Sequence, residues 1–440
     1  MKLFHFKGGV HPPGYKALTQ DMSIEALPTP ELVRVPMVQH LGVPSDLQVK
    51  KGDTVMLGQE IGTCHGFVSA AVHATVSGTV SLAGDVPHPS GRMVPGVEIT
   101  SDGQDTRDPE CTPVVNPTGP AILQAIQAAG IVGMGGATFP SHVKLQPPKD
   151  KPISLLILNA AECEPFLTCD YRLMMERSAQ IIRGAELIMA ALEVTECIIG
   201  IEDNKPAAVQ VMRAAVAEKD GLGVQPLATH YPQGGEKQLI YALTGREVPS
   251  GGLPMDVGCV VHNVGTAAAV ATAIDEGMPL VERVVTVSGD AVGRPGNYQV
   301  RIGMPIEELL KLAELDVARC RKIVVGGPMT GVALADLRAP VIKGTSGVLA
   351  LSKEWIDRRT PEPCIRCGRC VEACPVGLSP TELERFALLM DVPALTAHHA
   401  VDCIECGCCA YTCPSQRPLV HGIRYGKAQI AELRKAKRNQ

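Results

Sequence analysis

The sequence predicts a multidomain α/β protein, in which a parallel-sheet domain lies between β-rich and helical parts. Three observations lead to this prediction. Short strands separated by Gly-Asp and Ser-Gly turns fill residues 31–112. Apolar strands then alternate with helical segments over residues 116–282, which is the pattern of a parallel sheet. Finally, one Cys spacing occurs twice within residues 351–425, on segments that we expect to be short helical turns.

Length and composition limit the functions to be considered. The 440 residues are enough for several domains, and 45% hydrophobic residues can fill several cores. A net charge of −5 and only 3% aromatic residues argue against a nucleic-acid partner. The N-terminal residues have no apolar h-region, and no apolar run is long enough to span a bilayer. We therefore expect neither a signal peptide nor a transmembrane segment.

The N-terminal part is expected to be structural. Residues 1–30 are rich in Gly and Pro and predict an arm that lies over other domains. Residues 31–112 are similar to the β-sandwich of lipoyl-type carriers, a barrel-sandwich hybrid. Such carriers present an acylated Lys at a hairpin, but no Lys lies between Gly52 and Val80. We therefore expect an unmodified β-sandwich.

The central segment, residues 116–282, predicts a Rossmann-like parallel α/β domain. AILQAIQAAG is an Ala-rich helix that ends at Gly130, and ISLLILN (153–159) is an apolar run typical of a strand buried on both faces. A helix is expected from about Tyr171 to Leu192. ECIIGIED predicts a second buried strand, and a helix follows Pro206. Ligands of such a domain lie at the carboxyl ends of the strands.

The chain then returns to β-structure before the Cys-rich segment. Residues 283–350 alternate apolar and polar positions around a Gly-rich turn, which predicts a small β-grasp module of the SLBB type. Residues 351–425 carry the repeated Cys spacing and predict a helical domain similar to two-cluster ferredoxins. Residues 426–440 form a basic tail, either a docking segment or the solvated end of an amphipathic helix.

The repeated spacing C-x2-C-x2-C-x3-C-P holds 4Fe–4S clusters in bacterial two-cluster ferredoxins, where the fourth Cys usually ligates the other cluster. Zinc sites need two Cys pairs instead, and disulfides do not suit a reduced compartment. Cys408 lies inside the second run but off its spacing, so we expect it to be dispensable for both clusters. The predicted ligands are Cys364, Cys367, Cys370 and Cys413 for cluster 1, and Cys403, Cys406, Cys409 and Cys374 for cluster 2.

Polar loops of the α/β domain predict a ligand site. GMGGATFPSHVK (133–144) lets backbone N–H groups approach a phosphate or ring, and Lys144 adds a cation, although a plain Gly-rich turn explains the glycines equally well. In NAAECEPF (159–166), Glu162 and Glu164 either bind hydroxyl or carboxamide groups or stabilise the next helix dipole.

Two further loops can likewise either bind a ligand or only begin a helix. YPQGGEKQL (231–239) contains a GGEK sequence that opens a helix, so its N–H groups can meet an anion. In HNVGT (262–266), Asn263 and Thr266 either bind a ligand or cap the helix that follows.

The order of these four loops resembles the flavoprotein subunit of respiratory complex I, which binds FMN and NADH in one α/β pocket. A closer resemblance is to the C subunit family of the Rnf (Rsx) electron transport complex. That family adds the motifs GGVHPP, NAAECEP, IGIEDNKP and RPGN, together with both Cys runs. The resemblance covers essentially the whole chain.

The resemblance implies roles for individual residues. Non-covalent FMN would be held by glycines and polar groups of the four loops: Gly133, Gly135, Gly136, Lys144, Asn159, Glu162, Gly234, Gly235, Glu236, Asn263 and Thr266. Phe139 would stack on a ring of NADH, and Glu164 would bind its amide or ribose. Two departures from the pattern are Thr138, where the family has Gly, and Ala161, where complex I has an acid.

The resemblance also implies a function. NADH would deliver a hydride to FMN, and single electrons would pass through the two clusters to other iron–sulfur and membrane subunits of the Rnf complex, or in reverse. The chain would sit peripherally on the cytoplasmic face of the inner membrane, in a complex that couples NADH and ferredoxin to Na⁺ or H⁺ transport. Two alternatives remain: a soluble reductase similar to the cobalamin reductase of microcompartments, and a non-catalytic iron–sulfur adaptor.

Overall fold

The computed structural model of the protein describes residues 4–356 and 360–438. Within these ranges the strands form four sheets. The strands are β1 (Ile24–Ala26), β2 (Leu32–Pro36), β3 (Asp46–Leu47), β4 (Thr54–Val55), β5 (Glu60–Thr63), β6 (Val72–His73), β7 (Gly78–Pro87), β8 (Met93–Ser101), β9 (Leu155–Ala160), β10 (Cys197–Glu202), β11 (Leu222–Leu227), β12 (Cys259–Asn263), β13 (Glu282–Ser288), β14 (Gly296–Arg301), β15 (Cys320–Val325), β16 (Val332–Ala333) and β17 (Gly347–Ser352).

Helices surround the parallel sheet and form most of the C-terminal part, which confirms the predicted multidomain α/β layout. The helices are α1 (Gly119–Ala128), α2 (Ser141–Lys144), α3 (Cys169–Glu176), α4 (Ser178–Leu192), α5 (Pro206–Val216), α6 (Glu236–Thr244), α7 (Val264–Asp275), α8 (Ile306–Leu312), α9 (Arg369–Glu372), α10 (Pro380–Leu388), α11 (Val392–Ala397), α12 (Cys408–Tyr411) and α13 (Leu419–Arg438).

The N-terminal β-domain consists of two antiparallel sheets, in the orders β2-β8-β7-β4 and β3-β5-β6. Because side chains alternate across a strand, one face of β2 is apolar and the other is charged. Val33 lies opposite Ile99 and both are fully buried. The intervening pair, Arg34 and Glu98, forms a 2.7 Å ion pair.

The α/β domain has a fully parallel sheet in the order β11-β10-β9-β12. Strand β9 is buried on both faces, as its continuous apolar run predicts. The single helix expected from Tyr171 to Leu192 is wrong, since α3 and α4 are separate. Arg177 between them adopts φ −133° and ψ 32°, and its guanidinium bonds the Gln299 side chain on β14.

A mixed sheet in the order β1-β14-β13-β17-β15-β16 follows the α/β domain. Its centre is the antiparallel hairpin β13–β14, in which Val285 lies opposite Tyr298. The edge strand β1 comes from the N-terminal arm and pairs parallel with β14, with Ile24 opposite Asn297. The arm is therefore part of this sheet.

The C-terminal part is helical. The short helices α9 and α12 each begin inside one Cys run, directly after glycines with φ 78° (Gly368) and φ 83° (Gly407). Helix α10 packs against α13 around Leu383, Ala387 and Ile430. Helix α13 runs without interruption from Leu419 to Arg438, so residues 426–438 of the predicted basic tail are helical.

Candidate functional site

The central feature of the site is the carboxyl edge of the parallel sheet. Strand β9 has β10 and β11 on one side and β12 on the other. The order in which successive strands are added to the sheet therefore reverses at β9. Ligands of open α/β sheets bind at such a reversal. Asn159 on β9 and Asn263 on β12 are direct partners across it. The sheet thus brings these two predicted residues together.

The glycine loop 133–144 lies against the carboxyl edge of the parallel sheet. Its base is fixed because the Met134 N–H donates to the buried Thr266 hydroxyl at 2.9 Å. Gly135 lies so close to Asn263 that a Cβ atom would be 2.9 Å from the Asn263 amide nitrogen. Gly135 and Gly136 are themselves exposed, which leaves their backbone open to a ligand.

Thr138, the departure from the family pattern, adopts φ 50°. A β-branched residue rarely takes this left-handed conformation, whereas Gly does so freely. The Thr138 methyl group packs against Gly344, where a Cβ would be only 2.5 Å away. Next to it, Phe139 is half-buried and its carbonyl accepts the Gly133 N–H at 2.9 Å.

Asn263 caps helix α7, because its side-chain oxygen accepts the Gly265 N–H at 2.8 Å. Its amide nitrogen donates to Asp170 at 2.6 Å, so both ends of the amide are oriented. Burial and the nearby Glu162 carboxylate raise the pKa of Asp170. Asp170 is not among the residues predicted from the sequence, because it carries no local motif and reaches the site only through the fold.

Glu162 and Glu164 have different surroundings. The Glu162 carboxylate accepts the backbone N–H groups of Asp170 at 2.7 Å and Tyr171 at 3.2 Å, which caps helix α3. The Glu164 carboxylate accepts N–H groups from Met329 at 3.0 Å and Thr330 at 2.9 Å, and also the Thr330 hydroxyl. Burial raises the pKa of Glu164 despite these bonds.

Lys16 holds the loop that carries both glutamates. Its ammonium donates to the carbonyls of Glu162 at 2.8 Å, Glu164 at 3.0 Å and Leu167 at 2.6 Å. Burial lowers the pKa of Lys16. Lys16 is not among the predicted site residues either, because a single Lys in an irregular arm gives no signal of its long-range partners.

The 231–239 loop closes the opposite side of the edge. The Asn159 amide donates to the Gly234 carbonyl at 2.8 Å, and the Gly234 N–H faces the Cys163 sulfur at 3.3 Å. Gly235 directly precedes helix α6, and Glu236 is its first residue. The Lys144 ammonium bonds Glu236 at 2.6 Å and the Val261 carbonyl at 3.0 Å, so both predicted side chains are already paired.

The residues present fit a bound FMN. Exposed glycine backbone, two oriented Asn side chains and a Lys lie around one sheet edge. His262 is buried beside them, and its Nε2 atom has no hydrogen-bond partner among the described residues. Burial lowers the pKa of His262 to about 3, so the ring is neutral.

The second Cys run surrounds a cavity that also includes a residue of the first run. Cys374 lines this cavity together with Cys403, Cys406, Cys408 and Cys409. Backbone N–H groups point at two of the sulfurs: Leu378 N to Cys374 at 3.3 Å and Glu405 N to Cys403 at 3.4 Å. The four thiols other than Cys408 are the predicted ligands of cluster 2, and thiols that accept backbone N–H groups match the ligand chemistry of a 4Fe–4S cluster.

The four predicted ligands of cluster 1 consist of a packed pair and an exposed pair. Cys370 and Cys413 pack in one apolar cluster with Leu419 and with Cys409 of the other predicted set. Cys364 and Cys367 are exposed, and the Arg366 N–H points at the Cys364 sulfur at 3.4 Å. Cys408 is fully buried and also lines the cavity of the second run, and its thiol faces the Tyr231 carbonyl at 3.9 Å.

Comparison with protein families matches four consecutive parts of the chain. Residues 4–104 match the RnfC barrel sandwich hybrid domain, and residues 126–272 match the Nuo51 FMN-binding domain. Residues 284–333 match the SLBB domain, and residues 356–417 match the 4Fe-4S dicluster domain. Fold and site together therefore define a flavin- and iron–sulfur-binding electron-transfer protein.

Full-length relatives narrow this class to one family, the C subunits of ion-translocating oxidoreductase complexes. The chain is 45% identical over 433 residues to the C subunit of the Na⁺-translocating ferredoxin:NAD⁺ oxidoreductase complex of Acetobacterium woodii, covering 98% of both chains. It is 45% identical to the proton-translocating counterpart of Clostridium ljungdahlii, covering 98% of this chain and 96% of that one. It is 42% identical to the counterpart in the ion-translocating oxidoreductase complex of Rhodobacter capsulatus, covering 99% and 85%. The chain belongs to this RnfC family.

Proposed function

We propose that this chain is the NADH-oxidising or NAD⁺-reducing subunit of an ion-translocating ferredoxin:NAD⁺ oxidoreductase complex. The observation that supports this most directly is the combination of an FMN-type sheet edge and a Cys-lined cavity in one chain that matches RnfC relatives over nearly its full length. A non-catalytic adaptor would not need the open glycine backbone or the oriented Asn side chains at that edge.

Bound FMN accepts the two electrons of a hydride and releases them singly, and each 4Fe–4S cluster carries one electron at a time. The protein holds and orients these groups. Exposed N–H groups at Gly135 and Gly136 would face the flavin phosphate or ring, with Thr266 fixing their loop. Asn159 and Asn263 would contact the flavin from adjacent strands. These side chains bind and orient, and no general base is required.

The nucleotide would enter between Phe139 and the Glu164 loop. Phe139 offers a half-buried ring for stacking on the nicotinamide or adenine. Glu164 shapes this side of the pocket by holding the loop at Met329 and Thr330. One lone pair of its carboxylate remains for the amide or ribose of NADH.

The clusters would be held by crossed ligand sets. Cys374 from the first run would complete cluster 2 with Cys403, Cys406 and Cys409, and Cys413 would complete cluster 1 with Cys364, Cys367 and Cys370. The shared cavity supports the first assignment, and the packing of Cys413 beside Cys370 supports the second. The domains would be the segments 31–112, 116–282, 283–350 and 351–425, preceded by the arm 1–30 and followed by the tail 426–440.

The chain would associate with its complex peripherally, at the cytoplasmic face of the inner membrane, through other iron–sulfur and membrane subunits. No helix among the described residues is long and apolar enough to cross a membrane. The last turn of α13 carries Arg434, Lys435 and Lys437 in its sequence. This basic end would assist docking on an acidic partner or on anionic lipid.

NADH–ferricyanide activity of the isolated chain tests this function. The unaltered protein should oxidise NADH, and acid should release its flavin as non-covalent FMN. Thr266→Val removes the hydroxyl that fixes the glycine loop, so FMN content and activity should fall together. Thr272→Val is the matched control, since Thr272 lies on the same helix and bonds Gln180 instead. FAD, covalent flavin, or an unaltered chain without activity would contradict the proposal.

A further inference from the structure

Two lysines from distant parts of the chain hold the loop that follows strand β9. Lys16 lies in the N-terminal arm, and Lys205 belongs to the IGIEDNKP motif (199–206). The Lys205 ammonium donates to the Ala161 carbonyl at 2.6 Å. The Lys16 ammonium bonds three further carbonyls of the same loop, those of Glu162, Glu164 and Leu167. Four carbonyl groups of one short loop are therefore fixed by two cations.

The N–H groups on the other side of this loop are open. In a trans peptide the C=O and N–H bonds point in opposite directions. The bond of Lys205 to the Ala161 carbonyl therefore turns the Glu162 N–H away from Lys205. The bond of Lys16 to the Glu162 carbonyl turns the Cys163 N–H away from Lys16 in the same way. Neither N–H has an acceptor among the residues that the structure describes.

The backbone of the loop suits an anion. Glu162 adopts φ 46°, a left-handed conformation that lets successive N–H groups converge on one negative charge. These N–H groups directly follow β9, so they open at the carboxyl edge of the sheet. The exposed glycine backbone and Asn263 lie at the same edge.

The two cations differ in their charge balance. Lys205 pairs with Glu202 at 3.2 Å, and both side chains are buried. An ammonium has three donors, and the three carbonyls use all those of Lys16, which has no ion-pair partner within the described ranges. Glu162 and Glu164 direct their carboxylates to α3 and to Thr330 instead. Since a buried cation without a carboxylate partner is costly, a role for its charge is expected.

The charge of Lys16 bears on the reduction of FMN at this edge. A hydride carries two electrons and one proton, so FMN that accepts a hydride from NADH gains one negative charge. Fixed N–H groups and cations in a site that excludes water stabilise such a charge strongly, because they need no reorganisation.

We propose that Lys16 and Lys205 are positioning residues for the flavin. They fix the carbonyls of the 161–167 loop on one side, so that the N–H groups of Glu162 and Cys163 face the flavin ring. The positive charge of Lys16 then favours reduced over oxidised FMN. Both lysines act through the loop. This inference rests on the proposed function, because it requires FMN at the sheet edge.

The reduction potential of the flavin in the holoprotein tests this role. Flavin absorbance is recorded anaerobically while the NADH/NAD⁺ ratio is varied. In Lys16→Met, the ratio that half-reduces FMN should rise about tenfold, which corresponds to a potential about 30 mV lower for a two-electron couple. Lys205→Met should shift the potential in the same direction.

FMN affinity gives a measurement that does not depend on turnover. The affinities for oxidised and reduced FMN are linked to the potential. Apoprotein of Lys16→Met, refilled with FMN, should therefore lose about ten times more affinity for reduced than for oxidised FMN. An equal loss for both states would show that Lys16 only supports the fold, and it would overturn the inference.

Glu202→Gln separates charge from structural damage. This variant removes the carboxylate beside Lys205 and keeps the shape of the buried side chain. The net charge behind the loop becomes more positive, so FMN should be half-reduced at a lower NADH/NAD⁺ ratio. A shift in the same direction as in Lys16→Met, or no shift, would overturn the inference. If Lys16→Met does not fold, the direction of this shift decides alone.

Thr19→Val is the matched control in the arm. The Thr19 hydroxyl bonds the Thr168 hydroxyl at 2.7 Å, three residues from Lys16, and the variant keeps both lysines. Its flavin potential should equal that of the unaltered protein. Bound FMN with an unchanged potential in Lys16→Met overturns this inference alone, whereas an unaltered protein without FMN overturns the proposed function.

Discussion

Replacing Glu164 by Gln tests how the α/β domain forms the nucleotide side of its pocket. In the structure, the carboxylate accepts two N–H groups and one hydroxyl from Met329 and Thr330. Gln keeps one oxygen acceptor but places an NH₂ group where the second carboxylate oxygen was. At least one of the two backbone N–H groups then faces a donor, and the loop that contains Met329 and Thr330 loses a hydrogen bond.

The size of the effect follows from these contacts. A hydrogen bond to a charged group contributes about 1.5–3 kcal/mol, so the loss of one bond costs roughly 2 kcal/mol. If the loop is needed in this position for nucleotide binding, the KM for NADH should rise about thirtyfold, since about 1.4 kcal/mol corresponds to a factor of ten. FMN should remain bound, because the flavin contacts lie at the sheet edge.

The assay is NADH–ferricyanide kinetics with FMN content measured on the same samples. Glu162→Gln is the matched control two residues away in the same loop. Glu162 caps helix α3 and lies on the flavin side, so this variant should lose FMN rather than nucleotide affinity. Loss of FMN from Glu164→Gln equal to its loss of NADH affinity would refute the reasoning, and so would an unchanged KM.

The pH dependence of the KM for NADH is a second test of the role of Glu164. Burial raises the pKa of Glu164, so its carboxylate becomes protonated at a higher pH than an exposed Glu. Protonation removes one acceptor, as Gln does. As the pH falls through this raised pKa, the KM of the unaltered protein should therefore rise towards that of Glu164→Gln, while the variant shows no such rise. Parallel pH profiles would contradict this.

Three further predictions concern the clusters and the C-terminal helix. Cys374→Ala should remove the EPR signal of cluster 2 and spare cluster 1, because Cys374 lines the cavity of the second run; loss of cluster 1 alone would disprove the crossing. Cys408→Ser should keep its full iron content, since the Cys408 thiol faces the Tyr231 carbonyl, and a measured iron loss would contradict this. Changing Arg434, Lys435 and Lys437 to Gln should release the chain from membranes at lower salt, by about 1 kcal/mol for each charge near an anionic surface. The control changes to Gln three basic residues that are exposed in another part of the structure, Lys311, Arg321 and Lys322. If both triple variants leave the membrane at the same salt concentration, the end of α13 has no docking role.

A truncation from residue 427 would be a poor test of the basic tail. The Lys427 ammonium bonds the Cys403 carbonyl at 3.0 Å and also pairs with Glu405. Ile430 is buried in the core between α10 and α13. Removing these residues would disturb cluster 2 itself, so the charge substitutions at the end of α13 are the cleaner perturbation.

Local patterns predicted much of the fold. The apolar run at 153–159 gave β9 within two residues at its start and one at its end, and Asn263 caps a helix as its position predicts. The prediction of one helix over 171–192 was wrong, because the chain leaves the helical conformation at Arg177, whose side chain bonds Gln299. Helical periodicity in the sequence does not reveal such a tertiary bond. Strand β1 was missed because three residues in a Gly- and Pro-rich arm carry no strand signal without their distant partner β14.

The candidate site shows the same limit. Motifs named the loops, and the sheet brings Asn159 and Asn263 together as expected for the carboxyl ends of neighbouring strands. Motifs did not reveal which contacts each side chain makes. Glu164 bonds the loop at Thr330, and Lys16 reaches the same segment from the arm. These partners are separated by more than a hundred residues, so their pairing depends on the tertiary fold.

The arm has a consequence for how the protein is made. Its residues are synthesised before their partners: Tyr231 for Val10, Asn297 for Ile24 and Ala373 for Gly9. Contacts between distant segments form slowly because a long loop must close first. The arm therefore completes its pairing only after Ala373, the latest of these partners, has been synthesised. Its docking beside Cys374 would then be among the last folding events, and cluster assembly would be a late step in maturation.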